Sequence, residues 1–229
     1  TVKNLDKLDY LVSSDLIKVG CVEVLGVFHA SQIEEIQETK ESIDNYPNLN
    51  LSLKIIEGEV DFSQLFHKNT FSSDFNLIFK ETDAMLFFGG PDIPPSVYGK
   101  EVFLTTHTYP KERTWEISFL NYLIGGKENK SPLLSTRNDY LVLGICLGMQ
   151  EMNVSNGGTL KQDIPMEIYK KTNYESIVEM PINQQHRNYL SKINDKWKDS
   201  TGIVFHTVKP LKISSNFLPS VASIHHQCV

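Results

Sequence analysis

Apolar positions along this chain follow two different periods, and the places where the period changes divide it into elements. Val19 to Phe28 is an apolar, β-branched run that predicts a strand. Ser31 with Glu34 resembles a capping box opening a helix that runs to about Asn45 and stops at Pro47. Leu49 to Ile56 alternates apolar and polar residues as a second strand would, so the start of the chain reads as βαβ after a polar leading segment with no clear assignment. Phe71 to Lys80 fits either period. Ala84 to Phe88 is a continuous apolar run ending in Gly89-Gly90-Pro91-Asp92, the pattern of a buried parallel strand delivered to a loop.

Further on, Trp115, Phe119, Leu120 and Leu123 fall at helical spacing within Glu112 to Leu123, with Gly125-Gly126 as the stop, and this stripe reads as core. Tyr140 to Ile145 predicts another buried strand, which runs through Cys146 directly into a helical stretch, Leu147 to Val154, closed by Asn156-Gly157-Gly158. Short strands are expected at Ile203 to Val208 and Val221 to Ile224. There is no internal repeat and no low-complexity linker. Strands alternating with helices predict an α/β fold with an open, mostly parallel sheet, flavodoxin-like in layout, with ligands gathered at the carboxyl ends of the strands.

Length and composition narrow this further. A chain of 229 residues with 40% hydrophobic and 22% charged residues is that of an ordinary globular protein, and a single domain over residues 1–229 is expected. The 22 basic residues against 28 acidic ones give a net charge of −6, and no window gathers the basic cluster that a phosphate backbone requires, so nucleic acid is not an expected partner. No apolar run reaches the roughly 20 residues that span a bilayer, and residues 1–9 lack the apolar run of a secretion signal, so no membrane partner is expected. Cys21, Cys146 and Cys228 are widely spaced, which argues against a disulfide framework or a structural zinc site and for a reducing, cytoplasmic location. No metal-ligand spacing and no nucleotide-binding glycine motif occurs, so neither metal nor cofactor is expected. The sequence leaves assembly into a homo-oligomer open.

The chemistry concentrates at Cys146. In Gly144-Ile-Cys146-Leu-Gly148 the cysteine lies where a strand turns sharply into a helix, and small flanking residues let that turn close. Backbone N–H groups at the amino end of a helix favour an anion there, which suits a thiolate nucleophile, and the amide of Leu147 becomes an oxyanion donor. The plainer alternative is a small buried hydrophobe, which is also the reading for Cys21 and Cys228. Gly89-Gly90 can bring amides close to a ligand at a strand end and complete an oxyanion hole. A thiolate needs a proton carrier, normally a His oriented by a carboxylate. Of seven His, His225-His226 after Val221 to Ile224 and His206 after Ile203-Val-Phe are conspicuous, and the residues alone do not choose between them.

Four motifs in order, Gly89-Gly-Pro-Asp-Ile-Pro-Pro-Ser-Val-Tyr-Gly99, Gly144-Ile-Cys-Leu-Gly-Met-Gln-Glu-Met-Asn-Val154, Gly157-Gly-Thr-Leu-Lys-Gln-Asp163 and Ser223-Ile-His-His-Gln227, resemble the peptidase C26 family. That family belongs to the class I glutamine amidotransferase-like superfamily and includes γ-glutamyl-γ-aminobutyrate hydrolases. The resemblance covers residues 83–229. It implies hydrolysis of a small γ-glutamyl amide through a thioester on Cys146, with no cofactor. Matched residue by residue, it implies oxyanion amides from Gly89, Gly90 and Leu147, and a glutamyl-binding role for Gln150, Ser223, His225, His226 and Gln227. The family pattern continues past His-His-Gln to a His-Pro-Glu that completes the triad. This chain holds no His-x-Glu, which points to a domain lacking its C-terminal end. Leu147, where the γ-glutamyl hydrolase branch often has Arg, also suits glutaminase subunits of biosynthetic amidotransferases. A catalytically dead γ-glutamyl-binding protein is the third reading left open.

Overall fold

A computed structural model describes the chain except for residues 18–22, 109, 127, 195, 197–202, 208–219 and 224. It divides into two compact units, residues 1–98 with 107–158, and residues 99–106 with 159–229.

The first unit opens with helix α1, Val2–Ser13, then alternates strands and helices: β1 Val24–His29, α2 Ile33–Ser42, β2 Leu51–Ile56, α3 Ser72–Glu81, β3 Ala84–Phe87, α4 Pro110–Ile124, β4 Leu141–Gly144 and α5 Leu147–Ser155. Strands β1 and β2 pair in parallel with Val24 opposite Leu51, and β3 and β4 pair in parallel with Ala84 opposite Leu141. These are the parallel pairs that a strand, helix, strand order produces, and the flavodoxin-like α/β class is met.

One aromatic-rich cluster holds this unit. Phe71, Phe75, Ile78 and Phe79 bring in α3, Trp115, Phe119, Leu120 and Leu123 bring in α4, and Phe87 and Tyr140 tie both to the β3–β4 pair. Phe75 and Phe119 stack with ring centroids 4.3 Å apart. The stripe on α4 is therefore core, as its spacing predicts. Arg137 fastens the end of α3: its Nη1 donates to the carbonyls of Phe79 and Thr82, at 3.1 and 2.7 Å, where a helix terminus leaves acceptors without internal partners.

Two local expectations need correction, and a segment without assignment acquires one. The helix after β1 is capped at Gln32, not Ser31, because the Ser31 hydroxyl lies 2.7 Å from His29 Nδ1 and Gln32 Oε1 accepts from the His29 amide. Strand β4 is not buried on both faces. Leu141 and Leu143 are 69% and 49% exposed, because only the Val142 and Gly144 side of the strand turns toward the core, and the described residues leave the other face uncovered. The polar leading segment is helical, since Leu5, Leu8 and Val12 share one face that packs against Tyr46 and Leu49.

The second unit contains short helices α6 Ile164–Glu167, α7 Tyr174–Val178 and α8 Ile182–Gln185, and an antiparallel pair of β5 Val204–Thr207 with β6 Ser220–Ser223. Asp163 caps α6 by accepting from the Met166 amide at 2.8 Å. Among the described residues no helix is long and apolar enough to cross a membrane.

Two buried phenols, one in each unit, make stability sensitive to alkali. Tyr46 donates to Asp6 at 2.6 Å, and that hydrogen bond to a carboxylate, with burial, pushes its pKa up to about 12. Burial, aided by the charge of Asp163, takes Tyr189 to about 12 as well. In the unfolded chain both ionise near 10. The stabilisation they give is thus complete below pH 10 and is lost as pH rises through 10 to 12. A urea midpoint that falls across that window, with Tyr46→Phe reducing the fall, is the expected result, and a midpoint flat to pH 12 would contradict it.

Candidate active site

The end of β4 and the start of α5 form a turn that few residues can make. Cys146 stands at φ 57°, ψ −111°, a region that L-residues other than glycine seldom occupy. The turn is held on both sides. The Ile145 amide donates to the Phe87 carbonyl at 2.9 Å, extending the β3–β4 ladder by one step, and the Gly148 and Met149 amides donate back to the carbonyls of Ile145 and Cys146.

Both flanking glycines are required by contact. A Cβ on Gly148 would lie 2.3 Å from the Phe87 carbonyl oxygen, and one on Gly144 would lie 2.6 Å from the Gly148 carbonyl carbon. Helix α5 therefore rests directly on the backbone of β3, and the Gly-x-Cys-x-Gly spacing is a steric necessity of this turn.

That close seating places Cys146 beside the glycine pair. A Cβ on Gly89 would lie 3.1 Å from Cys146 Cβ and 3.4 Å from its Sγ, so the missing side chain of Gly89 leaves the space next to the sulfur. Cys146 is exposed, as is Gly90 one residue along the same loop. Leu147, the first residue of α5, buries its side chain, and its amide is one of those a helix leaves without an internal partner. Gln150 is buried one turn further along. An exposed thiol, a helix amino terminus and a glycine loop thus converge, an arrangement that can present a nucleophile to a carbonyl carbon and amides to its oxygen.

The geometry makes Gly89 separable from the fold. Gly89→Ala has room if neighbouring atoms give by a few tenths of an ångström, so its stability is expected to stay within about 1 kcal/mol of the parent. The added methyl presses on the sulfur, and amide turnover is expected to fall about 10-fold or more, since small misplacements of reacting groups are costly. Initial rates beside a urea midpoint separate the two effects, and an unchanged rate would place the reacting atom elsewhere.

The remaining residues singled out from the sequence lie in the second unit. Ser223 is buried and its Oγ donates to the His186 carbonyl at 2.9 Å. His225 Nδ1 lies 2.7 Å from the Gln227 carbonyl, and because a carbonyl only accepts, that nitrogen carries the proton. His226 Nδ1 lies 3.5 Å from Asp163 Oδ2, and Gln227 is buried. Asp163, as partner of His226, and His186, whose ring lies 5.4 Å from that of His225, are neighbours that sequence reading did not assign. Asp163 is the last residue of Gly157-Gly-Thr-Leu-Lys-Gln-Asp163, which is the signal that could have found it. His206 lies on β5. Cys21 lies outside the described residues. Burial, then the charge of Glu167, pushes the Cys228 thiol up, which keeps it protonated and poorly reactive. Among the described residues no group of His, Cys, Asp and Glu could hold a metal ion.

Parallel strand pairs flanked by helices, with a cysteine at such a turn, define an amidotransferase-like α/β protein. A family model described as Peptidase C26 matches residues 23–229, and the chain belongs to that family. That family is one of cysteine-dependent hydrolases. The chain is also similar to a protein of Mycobacterium tuberculosis (strain ATCC 25618 / H37Rv) named as a candidate glutamine amidotransferase, 37% identical over 83 residues. That match covers 36% of this chain and 23% of the relative, so the chain spans about a quarter of that relative's length.

Proposed function

We propose that this protein hydrolyses a γ-glutamyl amide, releasing glutamate and a small amine, with Cys146 as nucleophile. The observation that carries the proposal is the turn at Cys146, whose φ of 57° holds an exposed sulfur against the space left by Gly89.

The chemistry follows from that placement. The Cys146 thiolate attacks the side-chain carbonyl carbon, a C–S bond forms, and the carbonyl pair moves onto oxygen, where the amides of Gly90 and Leu147 receive it. Collapse of this intermediate breaks the C–N bond, and the amine leaves with a proton delivered by a general acid. Water, deprotonated by the same group, then attacks the thioester, and glutamate departs as the thiol is restored. Gln150 and the Ser223 to Gln227 segment hold the glutamyl moiety in this reading, and His226 is steadied by Asp163. A family model that matches residues 23–229, drawn from both units, supports reading those residues as a single amidotransferase-like domain.

The test is direct. Purified full-length protein, offered a panel of γ-glutamyl amines, is expected to release glutamate from at least one, with an acyl-enzyme mass on the peptide that carries Cys146. Glutamate release with the label on another residue would refute the assignment.

A second reading is favoured by the mycobacterial relative's name: a glutaminase that hands ammonia to a synthase partner. It predicts glutamine hydrolysis that is weak alone and rises when the partner is added. Turnover of γ-glutamyl amines with no response to any synthase would exclude it.

A further inference from the structure

In the second unit the turn that follows helix α8 converges on the His-His-Gln segment. Gln185, the last residue of α8, is buried, and its Nε2 donates to the carbonyls of Met180 and Val178 at 2.8 and 3.3 Å. That carboxamide ties the short helix to the end of α7, where the last carbonyls lack partners inside the helix. The next residue, His186, stands at φ 56°, ψ −8°, in the left-handed region. Few residues other than glycine adopt it, and asparagine, aspartate and histidine are the ones that do so most readily.

Two contacts run from this turn to the segment that carries Ser223 and His225. The His186 carbonyl accepts from Ser223 Oγ at 2.9 Å, which fastens the turn to the end of β6. The His186 ring lies against that of His225, with centroids 5.4 Å apart and planes at 54°. Tyr169 in turn stacks on His186, at 6.5 Å and 24°. Both separations lie within the range over which flat rings attract one another. Tyr169 packs against the buried cluster of Ile177, Met180 and Tyr189, so the three rings form a series that leads from a hydrophobic cluster to His225.

The orientation of His225 needs more than its own hydrogen bond. Nδ1 donates to the Gln227 carbonyl at 2.7 Å, which settles the tautomer and one direction in the plane of the ring. That bond alone would let the ring tilt about the bonded nitrogen. The ring of His186 closes one side of that motion, and it can do so because the left-handed turn and the buried Gln185 carboxamide fix the backbone from which it projects. All of these residues belong to the second unit.

We propose that His186 is a positioning residue for His225: its ring fixes that imidazole, and its carbonyl fixes Ser223, in the arrangement with which the Ser223 to Gln227 segment binds the glutamyl moiety. This rests on the γ-glutamyl hydrolase reading. Two substitutions separate the parts of the role. His186→Asn tolerates the left-handed backbone and keeps the carbonyl, but removes the ring. His186→Phe restores a flat ring without nitrogens, so it shows whether ring contact carries the effect or a proton or charge on the imidazole does.

The experiment combines NMR of the histidine ring nitrogens with steady-state kinetics on a γ-glutamyl amine. In wild type, His225 should show the tautomer with the proton on Nδ1. In His186→Asn its nitrogen signals should move toward the average of a mobile imidazole. KM should rise about 3- to 10-fold, the cost of immobilising one more side chain on binding. With kcat within about 3-fold of wild type, the loss belongs to binding and not to chemistry. His186→Phe should bring KM back to within about 2-fold of wild type. A His225 ring unmoved by His186→Asn overturns the proposal, as does a freed ring with unchanged KM, a loss confined to kcat, or a folded His186→Phe that rescues nothing. If His186→Asn does not fold, Tyr169→Leu decides: it removes the outer ring of the series and leaves His186 in place, and an unchanged KM there counts against the role. A wild-type protein that turns over no γ-glutamyl amine removes the functional reading and this role with it, whereas a KM indifferent to His186→Asn in an active protein removes the role alone.

Discussion

Cys146→Ala is expected to lower glutamate release by about 10⁴-fold or more, to whatever the amides and binding groups contribute without a nucleophile. Cys146→Ser is the sharper test, because it preserves shape and the turn. A serine hydroxyl is far less ionised than a thiol at neutral pH, and with no base tuned to it the rate should still drop about 10³-fold or more. Neither variant should lose stability, since the side chain is exposed and its loss opens no cavity. An electrophilic glutamine analogue should label wild-type protein at this position and leave Cys228 unmodified, because burial keeps that second thiol protonated. Wild-type turnover in either variant would end the nucleophile assignment, whatever the fold around it.

Gly148→Ala carries the largest expected loss of stability, and two effects of opposite sign decide it. Alanine is the better helix former, by about 1 kcal/mol. Against this, the new methyl would lie 2.3 Å from the Phe87 carbonyl oxygen, an atom of strand backbone fixed by its bond to the Ile145 amide. Relieving that overlap requires helix α5 to lift from β3 or the ladder to part, and a net loss of about 2–4 kcal/mol is expected. The urea midpoint should fall with the slope unchanged, and activity should go with it because Cys146 moves with the helix. A neutral or stabilising outcome would mean that the helix does not rest on the strand.

How much of this was legible in the sequence depended on distance along the chain. The turn at Cys146 needs only consecutive residues, an apolar strand, two glycines and a helical stretch, and each is visible in a window of about a dozen residues. The glycine pair after β3 was legible for the same reason. Helix α3 was ambiguous because Phe71, Phe75, Ile78 and Phe79 are aromatic and β-branched residues favoured in strands, and burial against α4 settles the matter. Ser31 failed as a cap because a nearby imidazole captures its hydroxyl, a competition that no spacing rule encodes. The second unit was the least legible. Asp163 meets His226 and Gln162 meets Phe103 across some sixty residues, and only packing brings such pairs together.

The conformation at residue 146 has a consequence for the protein as a material. A backbone held in so sparsely populated a region stores about 1–3 kcal/mol, and glycine would release most of it while adding somewhat less than that in unfolded-chain entropy. Cys146→Gly is therefore expected to melt later than the parent while being inert, and a lower melting temperature would show that the thiol itself braces the bend. Under the proposed mechanism reactivity and robustness pull against each other at a single position, so a campaign that selects only for heat resistance would tend to discard the sulfur that the mechanism assigns as nucleophile.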